Sequence, residues 1–325
     1  MSLLGASSDP QVLHGERDGF ETVTLSVPAA ALSATFVPGA GMVCCSLVHD
    51  GDELLAQNRG LKAYAAAGKT MGIPLLHPWA NRLGAWSYRA LERTVDLRPL
   101  EASLPEDEHE LPIHGVLPGR WRVVSATAAD SARLIAELDA GRGSPAHAAF
   151  PFPHLMRMDA EVRDATLRVR TTVVPTDGPV PVSFGFHPYF ALTGDARERW
   201  RIRLPVRRRI ALDARAIPTG VHERVEPYEG PLGDRSYDDG FDRLAEPPVF
   251  AVEGGGRRIE VAYEAGYPVA QVFAPPGRAF ICFEPMTAPA NALIAGGFAT
   301  ATPAVPYAAT FAVAIRADQS SAISS

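Results

Sequence analysis

Lysine is nearly missing from this 325-residue chain: Lys62 and Lys69 are the only two, and every other basic side chain except histidine is arginine. So uniform a bias reflects genome composition more than a need for bidentate anion contacts, and single surface arginines carry little weight. Cysteine is scarce too, with Cys44, Cys45 and Cys282. Adjacent cysteines rarely bridge each other and an odd count leaves a free thiol, a usage that suits a reducing compartment. No stretch approaches the roughly 18 to 20 uninterrupted apolar residues that span a bilayer. Met1–Pro10 holds no basic segment leading into an apolar run, so no secretory signal is expected. A Gly-rich phosphate loop, a dinucleotide turn and the Cys/His spacing of a zinc site are all missing, and the expectation is no cofactor and no metal. The net charge of -6 gives no sign of nucleic-acid binding. These absences leave a soluble cytoplasmic protein that works with ordinary side chains.

Proline and glycine, by contrast, are abundant (29 and 28 residues) and spread along the whole chain, too frequent for long helices. Between them lie runs with strand chemistry: Glu21–Val27, Arg120–Ala126, Ala165–Val174, Arg201–Leu204, Arg258–Tyr263, Val269–Phe273 and Tyr307–Arg316. In Leu167-Arg168-Val169-Arg170, apolar and charged side chains alternate, and Ala160–Thr172 reads as one half-buried antiparallel strand. Gly254-Gly255-Gly256 has hairpin-turn chemistry. Only Leu61–Ala67 reads as helix. The fold class is therefore all-β, a many-stranded antiparallel sandwich. The expected boundaries are a disordered stretch over residues 1–10, one domain over 11–317, and a frayed polar tail over 318–325.

Five segments set polar side chains in apolar or turn-rich surroundings. His77-Pro78-Trp79 leads into Asn81-Arg82. Ile113-His114-Gly115 precedes Arg120-Trp121. Ser183-Phe-Gly-Phe-His187-Pro-Tyr189-Phe190 puts an imidazole among aromatics. Tyr237-Asp238-Asp239-Gly240-Phe241-Asp242 holds three carboxylates, not in the spacing of an EF-hand. Ile281-Cys-Phe-Glu284-Pro ends an apolar strand on a carboxylate, which is costly unless the group is paired or faces a cleft. Taken alone, each has a plainer explanation: a solvated turn at Arg82, a turn histidine at 114, a core histidine at 187, an acidic loop at 238. Imidazole in such a setting does transfer protons near neutral pH, and a desolvated carboxyl makes a usable base.

In this order and separation, spanning Gly72 to Asn291, the five segments resemble the aldose 1-epimerases, or galactose mutarotases. The resemblance implies a supersandwich with a sugar cleft on its concave face. It also implies Glu284 as general base, His187 as general acid, and His114, Arg82, Asn81 and Asp238 as sugar contacts, with His114 a further candidate for the proton work. Two departures leave the substrate open. Ala288-Pro289-Ala290-Asn291 lacks the family's common acidic residue, and His77-Pro78-Trp79 is closer to less-studied branches.

The implied reaction interconverts the α and β anomers of an aldose. A base removes the proton of the C1 hydroxyl while an acid protonates the ring oxygen, the two expected on opposite sides of the C1–O5 unit. The expected partner is a small-molecule aldose, with no nucleic acid and no membrane, and the protein a monomer or homodimer. Alternatives are an epimerase of a phosphorylated or sulfonated hexose and a non-catalytic carbohydrate-binding protein. The pattern favours a neutral sugar, because Trp121 needs the buried side of its strand, which turns Arg120 and Arg122 to solvent.

Overall fold

The computed structural model describes residues 8–117 and 119–317. The expectations for residues 1–7 and 318–325 lie outside the described residues. Strands make up 53% of the chain, in antiparallel sheets, as the run of short strands and breakers predicts. Three sheets dominate, of five, nine and eight strands. The nine-stranded sheet follows the period-2 rule closely. In the strand His154–Arg163, Met156, Met158, Ala160 and Val162 are buried and alternate with more exposed residues.

Most sequence-expected strands are found within a residue or two of their expected ends. One is corrected. Ala160–Thr172 is not a single strand but crosses the hairpin between His154–Arg163 and Thr166–Pro175, where Arg163 pairs Thr166. Asp164 takes a positive φ of 49° there. The chain alternates on both sides of the turn, and alternation alone does not register a two-residue loop. The Gly254–Gly256 hairpin is as expected: Gly254 pairs Arg257 across Gly255 and Gly256, both with positive φ, the backbone of a tight two-residue turn. The helix expected at Leu61–Ala67 is Gly60–Ala67. Among the described residues, no helix is long and apolar enough to cross a membrane.

The eight-stranded sheet carries the feature that matters most. Its strand Ile281–Met286 is buried at all six positions, because both faces are covered. Ile281 and Phe283 belong to the main core, whereas Cys282, Glu284 and Met286 point to the other face.

Behind this sheet a pair of histidines is buried. His154 Nδ1 lies 2.6 Å from the Phe152 carbonyl and so must carry the proton, which leaves Nε2 as acceptor. His77 Nε2, 2.9 Å away, is then the donor. Burial pushes both imidazoles below their ordinary pKa. The folded pair stays neutral at a pH where the unfolded chain takes up protons, so stability is full above about pH 6.5 and falls as the pH drops below it. The expected slope is up to about 1.4 kcal/mol per pH unit for each buried histidine. Denaturant unfolding at pH 7.5 and 5.5 measures it. A His77→Gln/His154→Leu variant with an undiminished slope would assign the acid sensitivity to other groups.

Candidate active site

Sheet register assembles the site. Asp238 pairs Phe273, Phe273 pairs Cys282, and Cys282 pairs Tyr189, giving one cross-strand row. The next row is Gly240, Gln271 and Glu284. Gly185 pairs Met286 on one side of Glu284 and Tyr189 pairs Cys282 on the other, so His187, midway between, comes to lie beside Glu284. Cross-strand neighbours stand about 5 Å apart at Cβ, within contact range of these side chains. His187 Nε2 and Glu284 Oε1 are 3.3 Å apart.

The remaining groups come from loops held over these rows. Asn81 and His114 both have left-handed backbone, at φ 57° and 64°, and the His114 amide donates to the Asn81 carbonyl at 2.9 Å. Next to His114, Gly115 (φ 79°) lies so close to His77 that a Cβ would sit 2.1 Å from its carbonyl oxygen. Asn291 pins the same loop: its amide donates to the Arg82 carbonyl, and its Oδ1 accepts from the Gly84 amide at 2.8 Å. The segment after Glu284 thus supplies a loop brace where an acidic residue was missed.

All six sequence-expected residues, Asn81, Arg82, His114, His187, Asp238 and Glu284, line one cleft of about 150 Å³. Tyr189, Gln271, Phe273 and Ile113 complete the lining. Sequence reasoning quoted Tyr189 in its motif without giving it a role, and it passed over Gln271 in an ordinary strand. The signal for Gln271 was there: a polar residue out of place in Val269–Phe273, two positions from Phe273 and so on the same face. Its Nε2 donates to Asp238 Oδ1 at 2.7 Å.

Arg82 is buried and clamped. Its Nε donates to Asp107 Oδ2 at 2.6 Å, and its Nη2 to Glu108 Oε1 at 3.1 Å. The solvated turn at Arg82 is therefore excluded. Tyr189 stacks on the His187 ring, with centroids 4.4 Å apart and planes 7° from parallel, while its hydroxyl bonds Thr70 Oγ1 at 2.6 Å. The side chains of His187 and Glu284 lie side by side on one floor, where the register of their segments places them.

Electrostatically the floor is dry. Burial pushes the Glu284 carboxyl well above the usual range, with Asp238 adding and Arg82 opposing. Burial pushes His187 down, helped by His114. Burial and Arg82 together hold His114 at about 3, so its ring is neutral. Burial also raises Asp238, against the pull of Arg82. Burial thus acts on the two neighbouring groups in opposite directions and favours the neutral form of each. Cys282 sets its thiol near the two of them from the neighbouring row.

Arg120 and Arg122 are exposed and lie away from this cleft, with Trp121 buried between them, as expected.

The clamp yields a stability prediction. Asp107→Asn keeps an acceptor for the His109 and Leu111 amides that Oδ1 now serves, yet removes the buried charge partner of Arg82 and leaves it only the exposed Glu108. Losing one member of a buried ion pair costs about 3 kcal/mol or more, whereas Glu108→Gln, at an exposed partner, changes stability by under about 1 kcal/mol. Equal effects of the two substitutions in urea unfolding would show that the clamp is not where Arg82 is held.

Comparison with known proteins bears on the fold. The family described as aldose 1-epimerase matches residues 22–310. The chain is similar in fold to a galactose mutarotase-like protein from Clostridium acetobutylicum, with a TM-score of 0.80 at 17% identity, over 96% of this chain and 100% of that one. It is similar to the Slr1438 protein from Synechocystis, with a TM-score of 0.71 at 22% identity, over 98% and 100%. A GalM/aldose epimerase homologue from C. elegans gives 0.69 at 14% identity, over 95% and 99%. Comparison with the curated proteins gives no match. At such identities the likeness carries the fold and leaves function to the site.

Proposed function

This chain belongs to the aldose 1-epimerase family, and on that premise we propose that it interconverts the α and β anomers of a neutral aldose. Glu284 acts as base, His187 as acid, and Arg82, Asn81, His114, Asp238 and Gln271 hold the sugar hydroxyls. The observation that carries this reading is the 3.3 Å contact of the His187 and Glu284 side chains on the floor of a cleft with hydrogen-bonding walls. The two oxygens to be served, O1 and O5, hang on a single carbon. An acid and a base that lie side by side suit that geometry better than a facing pair.

The proton count closes on the pair alone. In the reacting state the pair's proton is on His187 and Glu284 is ionised. Glu284 takes the O1 proton as His187 protonates O5 and the C1–O5 bond breaks. The pair again holds one proton, now on Glu284. Rotation about C1–C2 and reversal of the transfers closes the ring on the other face. Burial raises the carboxyl and lowers the imidazole, which makes the carboxylate a stronger base and the imidazolium a stronger acid. The step moves protons and one C–O bond, so side chains suffice for it.

Charge supports the neutral substrate. Arg82 is the one cation among the lining residues, and Asp107 and Glu108 already occupy it. The lining also holds the carboxyls of Asp238 and Glu284. A phosphate with close to two charges calls for several convergent donors. Arg278, exposed and 5.6 Å from the centroid of the Phe280 ring that packs on Tyr189, is the feature that keeps an anionic hexose as the second reading. A carbohydrate-binding protein without activity has no need of the acid–base pair.

Polarimetry or exchange NMR with freshly dissolved α-glucose and α-galactose tests the reaction. Glu284→Gln and His187→Asn should each lower turnover by about two orders of magnitude or more while sugar affinity persists. Near-normal turnover in either variant would remove that residue from its role. On the substrate, kcat/KM should favour the free hexose over its 6-phosphate. A preference for the phosphate that salt and Arg278→Ala both weaken would reverse the choice.

A further inference from the structure

Cys282 has no task in the reaction, yet its position is as tightly set as that of the pair. It lies two residues before Glu284 on the same face of the strand, and it pairs in register with Tyr189, which stacks on His187. The Sγ of Cys282, a ring nitrogen of His187 and a carboxylate oxygen of Glu284 all lie within 4.8 Å of one another. All three residues are buried. A second observation is independent of that clustering: Glu284 Oε2 and His187 Nδ1 are buried with no hydrogen-bond partner among the described residues. A buried carboxylate oxygen without a donor leaves Glu284 free to take a ligand.

We propose that Cys282, His187 and Glu284 form a site for a thiophilic divalent cation, Zn²⁺ above all, whose occupancy competes with the sugar and switches the enzyme off. Thiolate, imidazole and carboxylate together are a ligand set that Zn²⁺ takes, and three protein ligands leave a fourth position for water from the cleft. The geometry is close. With Zn–N and Zn–O near 2.0–2.1 Å and Zn–S near 2.3 Å, tetrahedral donors stand about 3.3–3.6 Å apart. His187 Nε2 and Glu284 Oε1 already stand at 3.3 Å. Cys282 Sγ has at most 4.8 Å to close down to that range, a movement within reach of a side-chain rotation or a small strand shift. The thiol gives up its proton to solvent as the Zn–S bond forms, so binding releases protons and tightens as the pH rises. Nothing is oxidised or reduced. The bound ion holds the lone pairs of both the base and the acid, so neither can move a proton. The cation is an inhibitor from outside and no part of the catalytic cycle.

The competition with sugar rests on the proposed function, whereas the binding itself does not, and the experiment separates them. Zn²⁺ binding to the full chain is measured directly, by competition with a chromophoric chelator, with and without saturating hexose. Cd²⁺ is added as a spectroscopic probe, since a cadmium–thiolate bond absorbs in the ultraviolet. One ion per chain is expected, with the thiolate band present and hexose displacing the ion. Cys282→Ala and Cys282→Ser should abolish the band and leave anomerisation of the metal-free enzyme unchanged, with circular dichroism confirming the fold. Outer-shell partners alone are worth about 10–100-fold in metal affinity, so loss of this ligand should weaken binding at least about tenfold. If neither cysteine variant folds, the band and its displacement by hexose in the unaltered protein decide the matter. Absence of the thiolate band, or equal Zn²⁺ affinity with and without Cys282, would overturn the proposal. A protein that binds Zn²⁺ through Cys282 but shows no anomerisation would keep the site and remove the proposed function.

Discussion

A carboxylic acid on a strand covered on both faces is the constraint to which the surrounding structure answers. Ile281 and Phe283 fix that strand into the core, and Glu284, on its other face, is 1% exposed. Such a group survives only with compensation nearby. Arg82 supplies part of it through the field across the cleft, and burial, which raises the carboxyl's pKa, favours its neutral form. Arg82 is itself buried and needs Asp107, which in turn caps its own turn through the His109 and Leu111 amides. The cleft is thus a chain of debts settled in sequence, and each link is polar, buried and specific. Stability and site geometry are therefore hard to vary separately here.

How much of this the sequence disclosed depends on the kind of link. Everything that follows from period 2 was legible. Breakers and alternation gave the all-β class, Trp121 turned Arg120 and Arg122 outward, and the carboxylate before Pro285 marked itself as out of place. The residues that carry the family resemblance came together in one cleft, although they span 81 to 284 in the chain. Links across sheet register were not legible. Nothing in the local sequence says that Gln271 stands opposite Glu284, or that His187 falls between the residues pairing Met286 and Cys282. The side-by-side arrangement of His187 and Glu284 is a direct product of that register. Asp107 was missed for a related reason. Within its own turn it reads as a turn former, and its second oxygen serves a residue 25 positions earlier.

The loops explain why the family was easier to read than the sugar. The proposed acid and base are held by the sheet, Glu284 within the strand Ile281–Met286 and His187 in the short link between two segments paired to it. Of the groups proposed to read the hydroxyls, Asp238 and Gln271 also stand on strands, whereas loops hold Asn81, Arg82 and His114. They depend on a left-handed backbone at Asn81, His114 and Asn291, on the close contact of Gly115 with His77, and on the bond from Asn291 to Gly84. A left-handed non-glycine residue is strained unless its surroundings over-determine it. Here three such residues support one another: the His114 amide bonds Asn81, and the Asn291 amide bonds Arg82. Moving any one shifts the rest. Substitution along 72–84, 105–117 or 287–297 can therefore re-aim the hydroxyl-reading groups while Glu284 and His187 stay in place. On the proposed roles, a change of sugar can therefore come from the loops alone, whereas a change of reaction has to alter the strand that carries Glu284.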